Sequence, residues 1–436
     1  MKINVIGGGL AGSEVALGLA FKGFDVFLYE MRPQRSTEVH KTENFAELVC
    51  SNSLKSEDLS NASGVLKREA ILLGSMLLEV AKKFRVPAGK ALAVDREKFS
   101  AEVTRLINEH PKITVIRQEV KSLDLNAEET IWVVATGPLS SPDFENWLSS
   151  IFGEDLFFFD AVAPIVSAES IDMKLAFEAD RYDKGSGDYI NCPLDQDEYQ
   201  AFWQALTEAE VVPIENFSDK FLFNRCQPVE EIARTGFDAL RFGPMKPVGL
   251  IDPRTDKQPY AVVQLRKENL DGSLYNLVGF QTRLKWNEQR RVFRLIPALH
   301  SAEFVRYGVM HRNTYLNSPS VLRPDLRAKA YDNLFFCGQI TGLEGYVEAI
   351  SSGRFVAINI EQLLKSGRTI TLPKESMLGA LLDHITLSGK TPLNPVYANF
   401  GLLPQVRARG KREKKLMKAE RAIETMRSFL MKEGIL

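Results

Sequence analysis

Cysteine is scarce in this chain. Cys50, Cys192, Cys226 and Cys337 are too few and too irregularly spaced for a disulfide framework or a zinc site. Free thiols of this kind suit a reducing compartment. No apolar run approaches the length that spans a bilayer, and Ile3-Asn4-Val5-Ile6 passes straight into glycines with no cleavage site, so it reads as a buried strand and not as a signal peptide. These absences predict a cytoplasmic protein with no membrane attachment. A net charge of -1 argues against indiscriminate nucleic-acid binding and leaves only local basic patches. Internal repeats and low-complexity segments are missing too. So are a cysteine pair of disulfide-reductase spacing and a second Gly-x-Gly-x-x-Gly that would mark a separate nicotinamide domain.

What is present begins at the N-terminus. A chain of 436 residues exceeds what one core usually supports, so two domains, or one with a large insertion, are expected. Lys2 to Ile6 predicts a strand, Gly7-Gly8-Gly9-Leu10-Ala11-Gly12 a tight turn, Ser13 to Phe21 a helix, and Asp25 to Glu30 a second strand. In such a β-α-β unit the first glycine permits the turn, the second lets the backbone approach a pyrophosphate, and the third lets helix and strand pack closely. The pyrophosphate then meets the positive end of the helix. Glu30 stands where a carboxylate grips ribose hydroxyls. The loop from Gly7 to Gly12 and Glu30 are therefore the first cofactor-binding candidates.

Two distant segments point to FAD. Ala135-Thr136-Gly137, at the end of the strand from Ile131, resembles the second nucleotide-contacting turn of glutathione-reductase-type flavoproteins. Phe336-Cys337-Gly338-Gln339 resembles their third turn, with Gln339 where those proteins carry an acid. A helix from about Tyr346 to Lys365 would aim its N-terminus at the pyrimidine edge of the flavin.

Further helices are expected over 64–83, 95–110 and 407–432, the last of them basic. Between these lies a stretch of short extended segments and proline-containing turns. The expected fold is thus α/β: a glutathione-reductase-type FAD-binding Rossmann domain formed by 1–160 and 300–436, with an inserted α+β substrate or RNA domain over 161–299.

Several blocks are more specific than a glycine loop. They include Asn4 to Glu14, Leu48-Val49-Cys50-Ser51-Asn52-Ser53, Ala91 to Arg96, Asn191-Cys192-Pro193, Arg306 to Thr314, Gly338 to Glu348 and Asn399 to Pro404. Together they resemble the folate- and FAD-dependent tRNA (uracil-5-)-methyltransferases nearly from end to end. The resemblance implies that NAD(P)H reduces FAD and that 5,10-methylenetetrahydrofolate donates the carbon. The acceptor it implies is C5 of the T-loop uridine at position 54, on the T-arm of tRNA. Uracil C5 becomes nucleophilic once a thiolate adds to C6. In the family pattern Cys226 matches that nucleophile and Cys50 the thiol that removes the C5 proton; both need to be thiolates, and Arg225 adjoins Cys226. Tyr346 is a candidate to stack on or shield the flavin and the pterin. Cys192, Cys337 and His311 read as structural.

Two basic stretches are candidates for RNA contact: Thr282 to Arg294 around Trp286, and Arg407, Arg409, Lys411, Arg412, Lys414, Lys415 and Lys418. Other readings are the same chemistry on ribosomal RNA and a flavin oxidoreductase acting on a small molecule. A third is a partner-dependent binding protein like the larger tRNA-modifying flavoproteins, whose C-terminal helical domain needs more chain than follows Lys365. No obligate protein partner is implied, and the oligomeric state is open.

Overall fold

The computed structural model describes residues 1–37, 39–153, 156–161, 163–183, 187–213, 227–269, 271–308, 310–387, 393 and 395–436, with backbone alone for 156–161, 183 and 310–312. β1 (Lys2–Ile6) leads into α1 (Leu10–Ala20) and β2 (Val26–Glu30). Every residue of α1 is buried, which explains a helix with no polar face. α2 (Ala62–Leu72) and α3 (Met76–Lys83) replace the single helix expected over 64–83. Gly74 between them takes φ +81°, and the Ser75 side chain caps α3 by accepting the N–H of Leu78 at 3.3 Å. α4 (Arg96–Glu109) starts on Asp95, which accepts the N–H of Lys98 at 3.0 Å. β3 (Ile113–Arg117) and β4 (Thr130–Val134) follow.

β5 (Leu156–Ala161) precedes a run of antiparallel strands: β6 (Ile165–Ser167), β7 (Phe177–Glu178), β8 (Tyr189–Leu194), β9 (Ala261–Lys267), β10 (Leu274–Leu277) and β11 (Phe304–Arg306). They pair in the order β7-β8-β9-β10-β6-β11. After β8 comes α5 (Gln196–Glu208), held by a reciprocal cap between Asp195 and Glu198 that the extended pattern of this region did not announce. β12 (Met310–Tyr315) pairs with β5, β13 (Leu334–Phe336) returns to the first sheet, and α6 (Tyr346–Ser366), α7 (Met377–Leu387) and α8 (Lys411–Lys432) complete the chain.

The first sheet is wholly parallel, in the order β13-β4-β1-β2-β3. Ile6 lies opposite Tyr29 and Val134, and Val134 opposite Phe336, so four strands end level. Chain direction around the sheet reverses between β1 and β4, the place where open α/β sheets leave a crevice for ligands. The buried cluster around this sheet draws on both ends of the chain, from Ile3 to Leu148 and from Tyr315 to Leu430. A second cluster runs from Val166 to Ala302. In α6 every residue from Val347 to Ile360 is buried.

Two carboxylates tie helices together at no cost in exposed surface. Glu14 on α1 accepts from Met76 N at 2.8 Å and Leu77 N at 2.9 Å, and Glu69 on α2 accepts from Met377 N at 2.7 Å and Leu378 N at 2.9 Å. Each fills orphan donors at the start of another helix. Among the described residues, no helix is long and apolar enough to cross a membrane, and no group of side chains could hold a metal ion.

Candidate active site at the ends of the parallel strands

The level strand ends place Gly7, Glu30, Ala135 and Cys337 along one edge of the sheet. Gly12 sits one turn into α1, where a Cβ would lie 1.9 Å from the Gly7 carbonyl oxygen; only glycine lets α1 approach β1 so closely. At Gly9, by contrast, a Cβ would meet nothing within 4 Å. Open space therefore lies over the start of α1, where backbone N–H groups and the helix dipole favour an anion.

Two adjoining cavities occupy that space, one of about 80 Å³ and one of about 370 Å³, with Gly9, His40, Thr136 and Leu139 in the walls of both. Gly7, Gly8 and Glu30 line the smaller. Leu10, Ala11, Gly137, Gly338, Gln339, Cys50 and Tyr346 line the larger. The structure thus gathers the cofactor-loop candidates, Gly12 excepted, with one candidate thiol and the candidate tyrosine. Cys226 lies outside the described residues, as do Arg225 and the His311 side chain. The described chain resumes at Gln227, and Val229 N donates at 2.7 Å to the carbonyl of Gln281, a residue of the larger cavity's wall.

Glu30 is buried and already engaged. Its oxygens accept from Gly8 N at 2.9 Å, from Arg32 N at 3.0 Å and from Arg32 Nε and Nη2 at 2.9 and 3.2 Å. Burial works to raise its pKa, and the Arg32 contacts outweigh that, so the carboxyl is held below the usual range. Arg32 in turn reaches Glu47 at 3.2 Å. A ribose hydroxyl arriving here has to share or displace an Arg32 contact.

The segment carrying Cys50 is clamped from three sides. The Tyr346 hydroxyl, at the start of α6, accepts from Cys50 N at 2.7 Å and Ser51 N at 3.1 Å. Arg306 on β11 donates to the Val49 carbonyl at 2.9 Å. Asn52 is enclosed: its Nδ2 donates to the carbonyls of Val94, Lys267 and Glu268, and its Oδ1 accepts from Arg266 Nε at 3.1 Å. Arg96 forms an ion pair with Glu268 at 2.5 Å and leaves Nε and Nη1 without a partner. Arg96, Arg266 and Arg306 thus gather around this loop with Glu268, and Arg306 also lies near Glu47. Arg96 and Arg266 both lie close enough to Cys50 to interact with it electrostatically. Burial holds the Tyr346 phenol above its ordinary range, with Cys50 adding to the effect, so it stays protonated. Asn52, Arg96 and Arg306 lie within the sequence blocks quoted above but carry no role there, and Arg266 lies in none of them, because no spacing rule links positions so far apart. The remaining described thiols behave as packing groups: burial pushes Cys192 up to about 12 and Cys337 upward too.

Comparison with known proteins bears on what this constellation belongs to. The family described as Glucose inhibited division protein A matches residues 2–368. Methylenetetrahydrofolate--tRNA-(uracil-5-)-methyltransferase TrmFO of Thermotoga maritima is 59% identical over 433 residues, 99% of each chain. The protein of that name from Thermosipho melanesiensis is 55% identical over 430 residues, again 99% of each. The chain belongs to the TrmFO family. Among solved structures, Aquifex aeolicus GidA in its form II crystal superposes with a TM-score of 0.72 at 17% identity, covering 100% of this chain and 74% of that one, and so shares the fold.

On this TrmFO family member the two basic stretches fare differently. In the tail, Arg407, Arg409, Lys411, Arg412, Lys414 and Lys415 are exposed. Lys418 is not: it is buried and donates to the carbonyls of Phe400 at 2.7 Å and Leu403 at 2.8 Å, so it is a structural lysine and leaves the patch. Around Trp286 the cations are largely matched by acids. Arg283 pairs with Glu231, Lys285 with Glu210 and Arg291 with Glu288. What remains is Arg290, which donates to the Tyr307 hydroxyl at 2.7 Å, Arg294, which donates to the Ala302 carbonyl, and an aromatic stack: Trp286, 63% exposed, stacks on Tyr307 at 5.5 Å, and Tyr307 stacks on Phe304 at 5.6 Å.

Proposed function

We propose that this protein forms 5-methyluridine at position 54 in the T-loop of tRNA, taking the carbon from 5,10-methylenetetrahydrofolate on an FAD that NAD(P)H reduces. The observation that carries this reading is the convergence of Cys50, Tyr346 and the glycine turns at Gly9, Gly137 and Gly338 on one cavity. The residues fit the cofactor: open space over Gly9 suits a pyrophosphate, Glu30 stands in the wall beside it, and two linked cavities suit an elongated dinucleotide. Gly7, Gly8, Gly9, Leu10 and Ala11 would hold the phosphates, Glu30 the ribose, and Gly137, Gly338 and Gln339 the flavin half. Bound there, the flavin would supply reducing equivalents and a carrier for the one-carbon unit.

The chain's own groups do the rest. Cys226 adds through sulfur to C6 of the uracil, turning C5 into an enolate carbon that attacks the electrophilic methylene. Cys50 then removes the proton from C5 as the bond between the methylene and its carrier breaks; a hydride added to that carbon, for which the reduced cofactor would supply the two electrons, completes the methyl group as the C6–S bond breaks and frees Cys226. The cationic surroundings of Cys50 support a sulfur that is ionised when that proton must leave. Tyr346 keeps the loop of Cys50 in place and presents its ring to the same cavity. Val229, three residues beyond Cys226 in sequence, is hydrogen-bonded to Gln281 of the cavity wall. The stacked rings ending at Trp286 and the exposed cations of the tail suit an RNA whose bases are unstacked and whose phosphates need partners.

Incubating purified protein with unmodified tRNA, methylenetetrahydrofolate and NAD(P)H is expected to yield 5-methyluridine in the T-arm. Cys226→Ala stops product formation while the flavin stays bound; Cys50→Ala still captures the pyrimidine and stalls. Full activity in Cys226→Ala removes the assigned nucleophile, and product on ribosomal RNA but not on tRNA moves the substrate.

A further inference from the structure

Among the described residues four asparagines have no exposed surface: Asn52, Asn191, Asn313 and Asn359. Three are satisfied. Asn52 has the partners given above. Asn191 donates to the carbonyls of Phe177, Ala179 and Tyr189 and accepts from Gln264 at 2.9 Å. Asn359 donates to the Asp325 carbonyl at 3.4 Å and accepts from Ile370 N at 2.7 Å. Asn313 differs: neither Oδ1 nor Nδ2 has a hydrogen-bond partner. It is the only described side chain whose polar atoms are all buried and all unpaired. A fold keeps such a group when a ligand completes it.

Its place in the fold names the ligand's location. Asn313 lies on β12 and forms part of the wall of the larger cavity, with Gly137, Gly338, Tyr346 and Cys50. Thr314 N donates to the Pro138 carbonyl at 2.9 Å, and Leu316 N to the Ile340 carbonyl at 2.8 Å. β12 is therefore pinned between the two turns that follow β4 and β13. A carboxamide offers a donor and an acceptor side by side. Its complement is a ring edge where N–H adjoins C=O, a lactam. Flavin, pterin and uracil all carry one.

We propose that Asn313 pairs with the lactam edge of the flavin's pyrimidine ring and so selects the cofactor and fixes its orientation. This rests on the reading of the cavity as an FAD site. The flavin is favoured over the substrates because β12 is anchored to both of the turns that would hold the flavin half of the dinucleotide.

The test strips flavin from the wild type and from Asn313→Ala and Asn313→Asp, then titrates each apoprotein with FAD and with 3-methyl-FAD, whose methyl group replaces the ring N–H. The wild type is expected to bind 3-methyl-FAD about tenfold more weakly or worse, the equivalent of losing about 1.4 kcal/mol. Asn313→Ala should bind both forms with equal, reduced affinity. Asn313→Asp has the same shape, so a matching loss there, with an unchanged circular dichroism spectrum, rules out misfolding as the cause. An undiminished preference for FAD over 3-methyl-FAD in Asn313→Ala overturns the proposal. If that preference persists while affinity for methylenetetrahydrofolate or for a T-arm stem-loop falls, the edge belongs to a substrate and the flavin assignment is wrong. A wild-type apoprotein that takes up no FAD at all defeats the cofactor reading itself.

Discussion

The Tyr346 hydroxyl accepts the backbone N–H of Cys50 at 2.7 Å, joining residues 296 positions apart in sequence. The contact sets α6 and the Cys50 segment in one register at the wall of the larger cavity. Its hydrogen remains available to the cavity, because the two bonds it makes with Cys50 and Ser51 are both accepted ones.

Replacing Tyr346 with Phe leaves two backbone donors without that acceptor. A stability loss of about 1–3 kcal/mol is expected if both stay buried. Displacement of the thiol should lower methyl transfer by roughly ten- to a hundredfold. Thermal melting and single-turnover assays on the flavin-loaded protein check both; wild-type turnover in Tyr346→Phe would show that the clamp has no part in the chemistry.

Gly9 and Gly12 separate binding from folding. A side chain at Gly9 points into open space, so Gly9→Val should fold and melt normally but purify with little or no flavin. At Gly12 even one methyl group meets the Gly7 carbonyl, so Gly12→Ala should lose several kcal/mol or fail to fold, by overpacking. Flavin absorbance per chain, read beside the melting curve, distinguishes the two; a colourless but stable Gly12→Ala would contradict the packing role.

Glu69 makes stability depend on pH in an unusual direction. Burial raises its pKa from 4.5 to about 8, and the N–H groups of Leu378 and Met377 pull it back only in part. Between those values the folded state binds the proton that the unfolded state has released, so stability falls as pH rises through this window and levels off above it. Glu69→Gln keeps the shape, retains one of the two accepted bonds because its carboxamide has a single acceptor oxygen, and removes the titration. Denaturant unfolding at pH 5 and pH 9 should show the variant gaining on the wild type at the higher pH. An equal difference at both values would mean that Glu69 is ionised throughout.

Charge reversal in the tail should act on RNA, and at Lys418 on the fold. Lys411, Arg412, Lys414 and Lys415 changed to Glu should weaken tRNA binding and flatten its salt dependence without altering the melting temperature. Lys418→Ala should lower the melting temperature, since two carbonyls lose their donor. Trp286→Ala should weaken binding by about 1–3 kcal/mol if a base stacks there. Filter binding across a salt series checks the tail and Trp286 variants and thermal melting checks Lys418→Ala; an unchanged salt slope in the tail variant would exclude its phosphate contacts.

Local spacing in the sequence was enough to predict β1, α1, β2 and the glycine turn, because strand and helix periods and glycine's permissive backbone act within a few residues. The turns after β4 and β13 could be read from short motifs for the same reason. Family membership followed from blocks that are each short and contiguous, though they are spread along nearly the whole chain. Helix ends were less visible: a capping serine after Gly74 divides what the apolar pattern joins. Contacts across hundreds of residues were decided by the tertiary structure alone. Arg266 reaches Asn52 from 214 positions away, and Arg306 reaches Val49 from 257. Lys418 counts as a surface charge until the carbonyls of Phe400 and Leu403 enclose it, and Asn313 is an ordinary strand residue until the fold removes its water. A polar side chain's role depends on which groups surround it once solvent is gone, and distant segments of the chain supply those groups.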